Sequence, residues 1–288
     1  MQSRLYLPKL SEPPHTVLEY LGTRFPHIDS QAWRDRLDQG RIQFEDGTPL
    51  QPDTPYRHGR TVIYSREVAN EPEVEDPEII IFQNSRILVA DKAHGMVVTP
   101  AGDYVQRSLL ARLQQRTGLP DLTPMHRLDL ETAGLVLFAI DKESRRLYHD
   151  LFAKRLVQRE YLAAARIERP PSKQSWYLAN HIEQGEPWFR RRISQEDSRV
   201  NAITQIELKE YRGNVGIFAL RPETGKKHQL RVHMASIGFP IIGDRFYPEM
   251  REIQAEAVPL QLLACGLGFT DPVSGESRHF RSVRSLVY

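Results

Sequence analysis

Three short stretches carry residues whose types and spacing can do chemistry. The first is His126-Arg127-Leu128-Asp129, followed by Thr132-Ala133-Gly134 and the apolar run Leu135–Ile140. A carboxylate just before a buried strand is held at a fixed position on a rigid scaffold, so Asp129 is a candidate functional group; a lone loop aspartate would otherwise be a cap or turn residue. Arg127, two residues earlier, can meet a phosphate. The second stretch, Arg221-Pro-Glu-Thr-Gly-Lys-Lys-His-Gln-Leu-Arg-Val-His233, runs from a strand end into a helix predicted to reach Ser236 before Gly238 stops it. On that helix His228 and Arg231 stand i, i+3 and share a face. Lys226 and Lys227, with the free N–H groups of the first turn, form a predicted phosphate site. His233 reads as structural, and no spacing among His126, His228 and His233 demands zinc. The third stretch is Arg159-Glu160-Tyr161-Leu162-Ala163, a strand whose tyrosine alone would be an ordinary half-buried one.

The elements that must position these groups follow from periodicity. In the first 70 residues, Val17–Leu21 begins a helix, and Ser30 is placed to cap a second over Gln31–Gln39 with Ala32, Trp33 and Leu37 inward. Arg41–Glu45 and Thr61–Tyr64 alternate as strands around Asp46-Gly47. The segment Glu71–Glu78 is acidic, carries two prolines and has one apolar side chain, so residues 71–78 are predicted to be a linker. Beyond it, residues 79–288 mix strands with few helices. Ile79–Phe82 and Arg86–Ala90 form a predicted hairpin, and Lys142–Arg155 a helix with Leu147, Leu151 and Phe152 inward. Val200–Leu208 and Val215–Leu220 pair across Arg212-Gly213-Asn214. Without a βαβ rhythm or a glycine-rich phosphate loop, the fold class expected is α+β, with a mixed, mainly antiparallel sheet.

Composition excludes several classes. No run approaches the roughly 20 apolar residues of a membrane span, and the amino terminus lacks a secretory pattern. A single cysteine, Cys265, excludes an internal disulfide and a multi-cysteine zinc site. A cytoplasmic, metal-free protein is expected. The net charge is only +2, yet Lys142–Lys173 holds nine Lys/Arg against four Asp/Glu, and Arg190-Arg191-Arg192 and Lys226-Lys227 add further basic clusters. Phosphate contacts are short-range, so local excess is what a nucleic-acid footprint needs.

Taken together, HRLDLETAG, REYLA and RPETGKKHQLRVH, in that order, resemble the RluA-type RNA pseudouridine synthases. Asp91–Pro100 and Gly238–Tyr247 fit further blocks of that family, as does Leu262–Pro272 with Gly275-Glu276, so the resemblance covers about residues 80–285. The first 70 residues resemble an S4-like RNA-binding module in pattern. The resemblance implies a pseudouridine synthase catalytic domain at 79–288, with Asp129 as the catalytic aspartate, Arg231 as its basic partner and Tyr161 as the active-site tyrosine. It implies that Arg127 takes the place of a flipped uridine in the RNA stack and that Leu230 lines the base pocket; His126, His228, Lys226 and Lys227 complete the expected substrate-binding set. The implied activity is isomerisation of a uridine in structured ribosomal or transfer RNA, by a monomer that needs no cofactor. Isomerisation must break N1–C1′, turn the base and join C5 to C1′. An ionised carboxylate beside C1′ can trap positive charge there or remove a sugar proton to give a glycal. The chain departs from the usual pattern at Ala133, at Lys226-Lys227, at Ala93-His94, and at Cys265 and Asp271, which suggests an unusual subgroup. A binding module derived from a synthase, and a hydrolase releasing free base, are the competing readings.

Overall fold

The computed structural model describes residues 2–26, 28–65, 71–74, 76–168, 171–196, 199–251 and 258–288. It divides into two units, Met1–Glu71 and Pro72–Tyr288. The end of the predicted first domain, residues 66–70, and Glu75 of the predicted linker lie outside the described residues.

In the first unit, Thr16 and Glu19 form a capping box on α1 (Val17–Arg24). Asp29, not Ser30, caps α2 (Ser30–Asp38), because its side chain reaches the Gln31 N–H while Ser30 is already helical. Strands β2 (Ile42–Phe44) and β3 (Thr61–Ser65) form as expected, and β3 also pairs with β1 (Gln2–Tyr6). Periodicity missed β1, whose five residues include only two apolar ones. Val17, Leu21, Trp33, Leu37, Ile42 and Val62 make the core, while Ala32 is only partly buried.

The unit division falls at the start of the predicted linker. Its last residue does not lie free: Glu78 is 6% exposed and accepts from Arg112 Nε at 2.5 Å. Arg112 comes from α3 (Leu109–Thr117), capped by Ser108 and ended by Gly118 in the left-handed region. The acidity that marked the segment as unable to fold alone is thus neutralised in part by a helix of the second unit.

The second unit is built on one mixed sheet of ten strands. Its main path runs β4 (Ile79–Gln83), β5 (Ile87–Lys92), β7 (Ala133–Ala139), β14 (Leu262–Thr270), β8 (Gln158–Arg166), β13 (Val215–Pro222), β12 (Ala202–Arg212), β9 (Ser175–Asn180). The short β6 (Thr123–Pro124) joins β7, and β15 (Ser277–Arg281) joins β14. Every named pairing is antiparallel except β7 with β14. The expected α+β class and mainly antiparallel sheet hold.

Strand β7 is buried along its whole length because both faces are covered. Val136 and Phe138 enter one cluster with Tyr161, Leu128 and Leu230; Leu135, Leu137 and Ala139 enter the other with Tyr148 and Leu151 of α4 (Lys142–Ala153). On α4 it is Ser144, Tyr148 and Leu151 that are buried, while Leu147, expected inward, is 43% exposed. Leu151 and Phe152 turn inward as expected, and Tyr148 takes the place of Leu147, its hydroxyl donating to buried Asp271 at 3.0 Å.

Gly134 sits where β7 and β14 cross most closely. Its φ is +116°, and a Cβ there would lie 2.3 Å from the Ala264 carbonyl oxygen. Only glycine fits that approach. Gly134→Ala is therefore expected to destabilise by about 3 kcal/mol or more, lowering the Tm by roughly 10 °C; thermal unfolding followed by circular dichroism checks this, and an unchanged Tm contradicts the crossing.

Candidate active site

A cavity of about 430 Å³ opens where the loop before β7, strand β8 and the turn from β13 into α5 (Gln229–Ser236) converge. Arg127, Asp129, Tyr161, Leu230, Arg231, His228, Lys226 and Lys227 all line it. Of the predicted site residues, only His126 is left out. Its ring stacks on Phe152 at 4.8 Å and its Nε2 accepts from the Leu137 N–H at 3.1 Å, on the sheet face away from the cavity. Burial holds this imidazole neutral, down at about 3. Although Arg127, Leu128 and Asp129 after it all line the cavity, the His126 ring packs instead against Phe152.

The turn into α5 is organised by Gln229, which sequence reasoning assigned no role. Its Oε1 accepts from Thr224 Oγ1 at 2.8 Å and from the Lys226 N–H at 3.0 Å; its Nε2 donates to Ile203 O and Thr204 Oγ1. A four-fold satisfied buried amide fixes the loop rigidly. It also occupies the Lys226 N–H, one of the backbone donors expected to bind phosphate, so the lysine side chains are what the rim offers an anion. His228 is not on the helix with Arg231 but precedes it as the N-cap, at φ +57°. That left-handed backbone, unusual for a side chain this large, turns its ring so that Nδ1 meets Tyr247 Oη at 3.0 Å and Nε2 lies 3.9 Å from Asp129. Desolvation and the neighbouring cations hold His228 down at about 3, hence neutral. His233 bonds Thr204 Oγ1 at 2.9 Å and does not line the cavity.

Arg231 is 1% exposed. Its guanidinium lies 3.9 Å from Asp129, but its bidentate partner is Asp244, at 2.8 and 2.6 Å, and Glu131 follows at 3.1 Å. The expected Asp129 pair is thus a long one: the fork geometry of Arg231 is satisfied by Asp244, leaving Nη1 turned toward Glu131 and Asp129. Arg245 holds Glu131 from the other side at 2.7 Å. Asp244 and Glu131 were missed, because an aspartate after glycine and a glutamate beside threonine read as turn residues.

Asp129 keeps 31% of its side chain open to the cavity. Burial of the rest raises its pKa above 3.8; the charges of Arg231, Lys227, Lys92 and Arg127 oppose that rise without cancelling it. Lys92 is itself fully buried, donating to Ala93 O, Met96 O and Leu130 O, and desolvation lowers its pKa to about 7. It ties β5 to the residue after Asp129. A lysine ending an apolar strand was the available signal for it. Across the cavity, burial pushes the Tyr161 phenol up, so it stays protonated at neutral pH.

A carboxylate near several cations, in a cavity also lined by a tyrosine and two lysines, suits a polyanionic ligand. Comparison with known proteins narrows the class. The model of the RNA pseudouridylate synthase family matches residues 86–236. The dual-specificity RNA pseudouridine synthase RluA of Escherichia coli is 32% identical over 213 residues, covering 73% of this chain and 95% of that protein. An uncharacterised RNA pseudouridine synthase of Synechocystis is 28% identical over 250 residues, covering 80% and 79%. In fold, human RNA pseudouridylate synthase domain containing 1 superposes with a TM-score of 0.61 over 75% of this chain and 86% of that one, at 24% identity. The chain belongs to the RluA-type RNA pseudouridine synthases, enzymes that isomerise uridine in RNA. Among the described residues, no helix is long and apolar enough to cross a membrane.

Proposed function

We propose that this enzyme flips one uridine out of a structured ribosomal or transfer RNA and isomerises it with Asp129 acting at C1′. The observation that carries this is the placement of Asp129 in one cavity with the Tyr161 phenol and with the Arg231 guanidinium 3.9 Å away. The N1–C1′ bond breaks, C5 joins C1′, the C5 proton leaves and N1 gains one. An ionised Asp129 serves either route, as the nucleophile that holds C1′ or as the base that takes the sugar proton. Leu230 and the Tyr161 ring offer apolar and flat walls to the uracil. Arg127, exposed at the rim, fills the gap the base leaves in the stack, offsetting an extrusion cost of a few kcal/mol. Lys226 and Lys227 meet the flanking phosphates. No cofactor is required, since neither oxidation nor group transfer occurs. The first unit acts as an S4-like RNA-binding domain, and the enzyme works as a cytoplasmic monomer.

The decisive experiment maps pseudouridine across total RNA from cells lacking the gene, complemented by wild type or by Asp129→Asn. A site lost on deletion and restored only by wild type supports the proposal and names the substrate. No lost site favours the RNA-binding reading, and free uracil released from the RNA favours a hydrolase.

The electrostatics add a pH prediction. Asp129 must be ionised to act, and Lys227 is among the charges that favour its ionised form. The acidic limb of the single-turnover rate is expected above 3.8, and in Lys227→Ala it moves to still higher pH, because removing a positive charge lets the carboxylate hold its proton longer. A limb that stays in place or moves down excludes Asp129 as the group reported.

A further inference from the structure

The cavity accounts for the target nucleotide, but not for the hairpin of β10 (Ile182–Gln184) and β11 (Arg191–Ile193) at its rim. The tip of this hairpin presents Trp188, 70% exposed. A single exposed aromatic is by itself unremarkable. Two independent features single this one out.

The first is rigidity. Ile182 and Ile193 anchor the hairpin root in a cluster with Val232 of α5 and Tyr247. The Arg191 N–H donates to Tyr247 Oη at 2.8 Å, and that same hydroxyl meets His228 Nδ1. Arg190 Nη2 donates to Pro248 O at 2.8 Å. From the cavity wall outward the rings form a chain: His228 stacked on Phe246 at 5.6 Å, Phe246 beside Phe189 at 5.3 Å, and Phe189 edge-on to Trp188 at 5.9 Å. An indole at the end of such a chain loses little entropy when a flat ligand settles on it.

The second is charge. Lys227, which lines the cavity, holds its ammonium 5.7 Å from the Trp188 ring centroid. Arg190 and Arg191 bond carbonyl oxygens and have no carboxylate partner among the described residues. Cations beside an open ring are what a nucleotide requires, phosphate on the charges and base on the π-face. A continuous A-form duplex keeps its base faces stacked inside; only an unpaired nucleotide offers one.

We infer that Trp188 is a stacking platform for an unpaired base flanking the target uridine, so that the enzyme selects uridines in loops or single-stranded segments. The inference rests on RNA as the substrate, not on Asp129 being the catalytic group. Trp188 positions the RNA and takes no part in the chemistry.

The test measures binding of the full chain to a synthetic hairpin RNA whose loop contains one uridine, and to a blunt RNA duplex of equal length. Stacking is worth about 1–3 kcal/mol per base, so Trp188→Ala should weaken loop binding by about 5- to 100-fold while leaving duplex binding within about twofold. Trp188→Phe should retain most of the loop affinity. Loop RNA should also quench indole fluorescence in the wild type and far less in Trp188→Phe, since Trp33 is fully buried and Trp176 is packed against the core. Equal losses on both RNAs, no loss in the alanine variant, or a quench that survives in Trp188→Phe overturns the inference; so does quench by an added protein fraction and not by RNA. Should the alanine variant fail to fold, the presence of the quench in wild type and its loss in Trp188→Phe decide. Neither readout needs turnover, so Trp188-dependent loop binding together with no pseudouridine site lost on deletion of the gene would sink the proposed reaction and leave the platform standing.

Discussion

Asp129→Asn is expected to abolish pseudouridine formation, slowing single turnover by at least about 10³-fold, or ~4 kcal/mol of barrier. The amide keeps the shape but can neither bond C1′ as an anion nor take a sugar proton. RNA affinity should stay within severalfold, because one charge is changed inside the cavity while the lysines and arginines that line it are untouched. The fold should not suffer either. Burial raises the Asp129 pKa in the folded chain. A raised carboxylate favours the protonated form, and its contribution to stability declines as pH rises past its ordinary value. At neutral pH the ionised group is therefore a cost, and the Tm of Asp129→Asn should equal or exceed that of wild type. Normal turnover by this variant would remove Asp129 from the chemistry. Loss of activity together with a large fall in Tm would mean that the residue is structural instead.

Arg231→Ala is expected to do the opposite on stability and the same on rate. Asp244 has a fully buried side chain and depends on the Arg231 fork, while Glu131 shares it. Removing one member of a buried ion pair costs about 3–5 kcal/mol, which for a unit of this size lowers the Tm by roughly 10 °C or more. Turnover should fall with it, since Asp129 loses the first of the charges favouring its ionised form. Arg231→Lys separates the two effects. It keeps the charge but not the bidentate geometry, so it should recover part of the Tm deficit and little of the rate. Near wild-type activity in Arg231→Ala, measured below its Tm, would take the residue out of the site.

Much of the fold was legible because its signals are local. The hairpin β4–β5, the pair β12–β13 and the buried β7 follow from apolar runs and turn residues that lie within a few positions of one another. The misses were also local in cause. β1 offers too few apolar residues to register, and α3 is a nine-residue helix with only two buried apolar side chains, Leu109 and Leu113. On α4 a tyrosine outcompeted Leu147 for the interior because its hydroxyl has a buried acceptor waiting in Asp271. At the site, eight of the nine predicted residues line one cavity, drawn from three segments that span more than a hundred positions. His126 was lost to Phe152, on which its ring stacks and which packs against a different cluster.

The sequence by itself determined the family, since HRLD, the tyrosine strand and the HQLR turn are short motifs in fixed order, and it named the residues we propose for the chemistry. What only the tertiary structure decided is who holds whom. Arg231 lies 3.9 Å from Asp129 yet is gripped by Asp244, which comes from the far side of α5. Gly134 must be glycine because β14, 130 residues later, passes against it (134 to 264). Gln229 closes its loop on β12, and Lys92 reaches from β5 to the chain beside Asp129. Such pairings depend on sheet order and register, which no local pattern encodes. A charge in a folded chain also answers to everything packed around it: four cations oppose the rise in the Asp129 pKa, and burial still prevails.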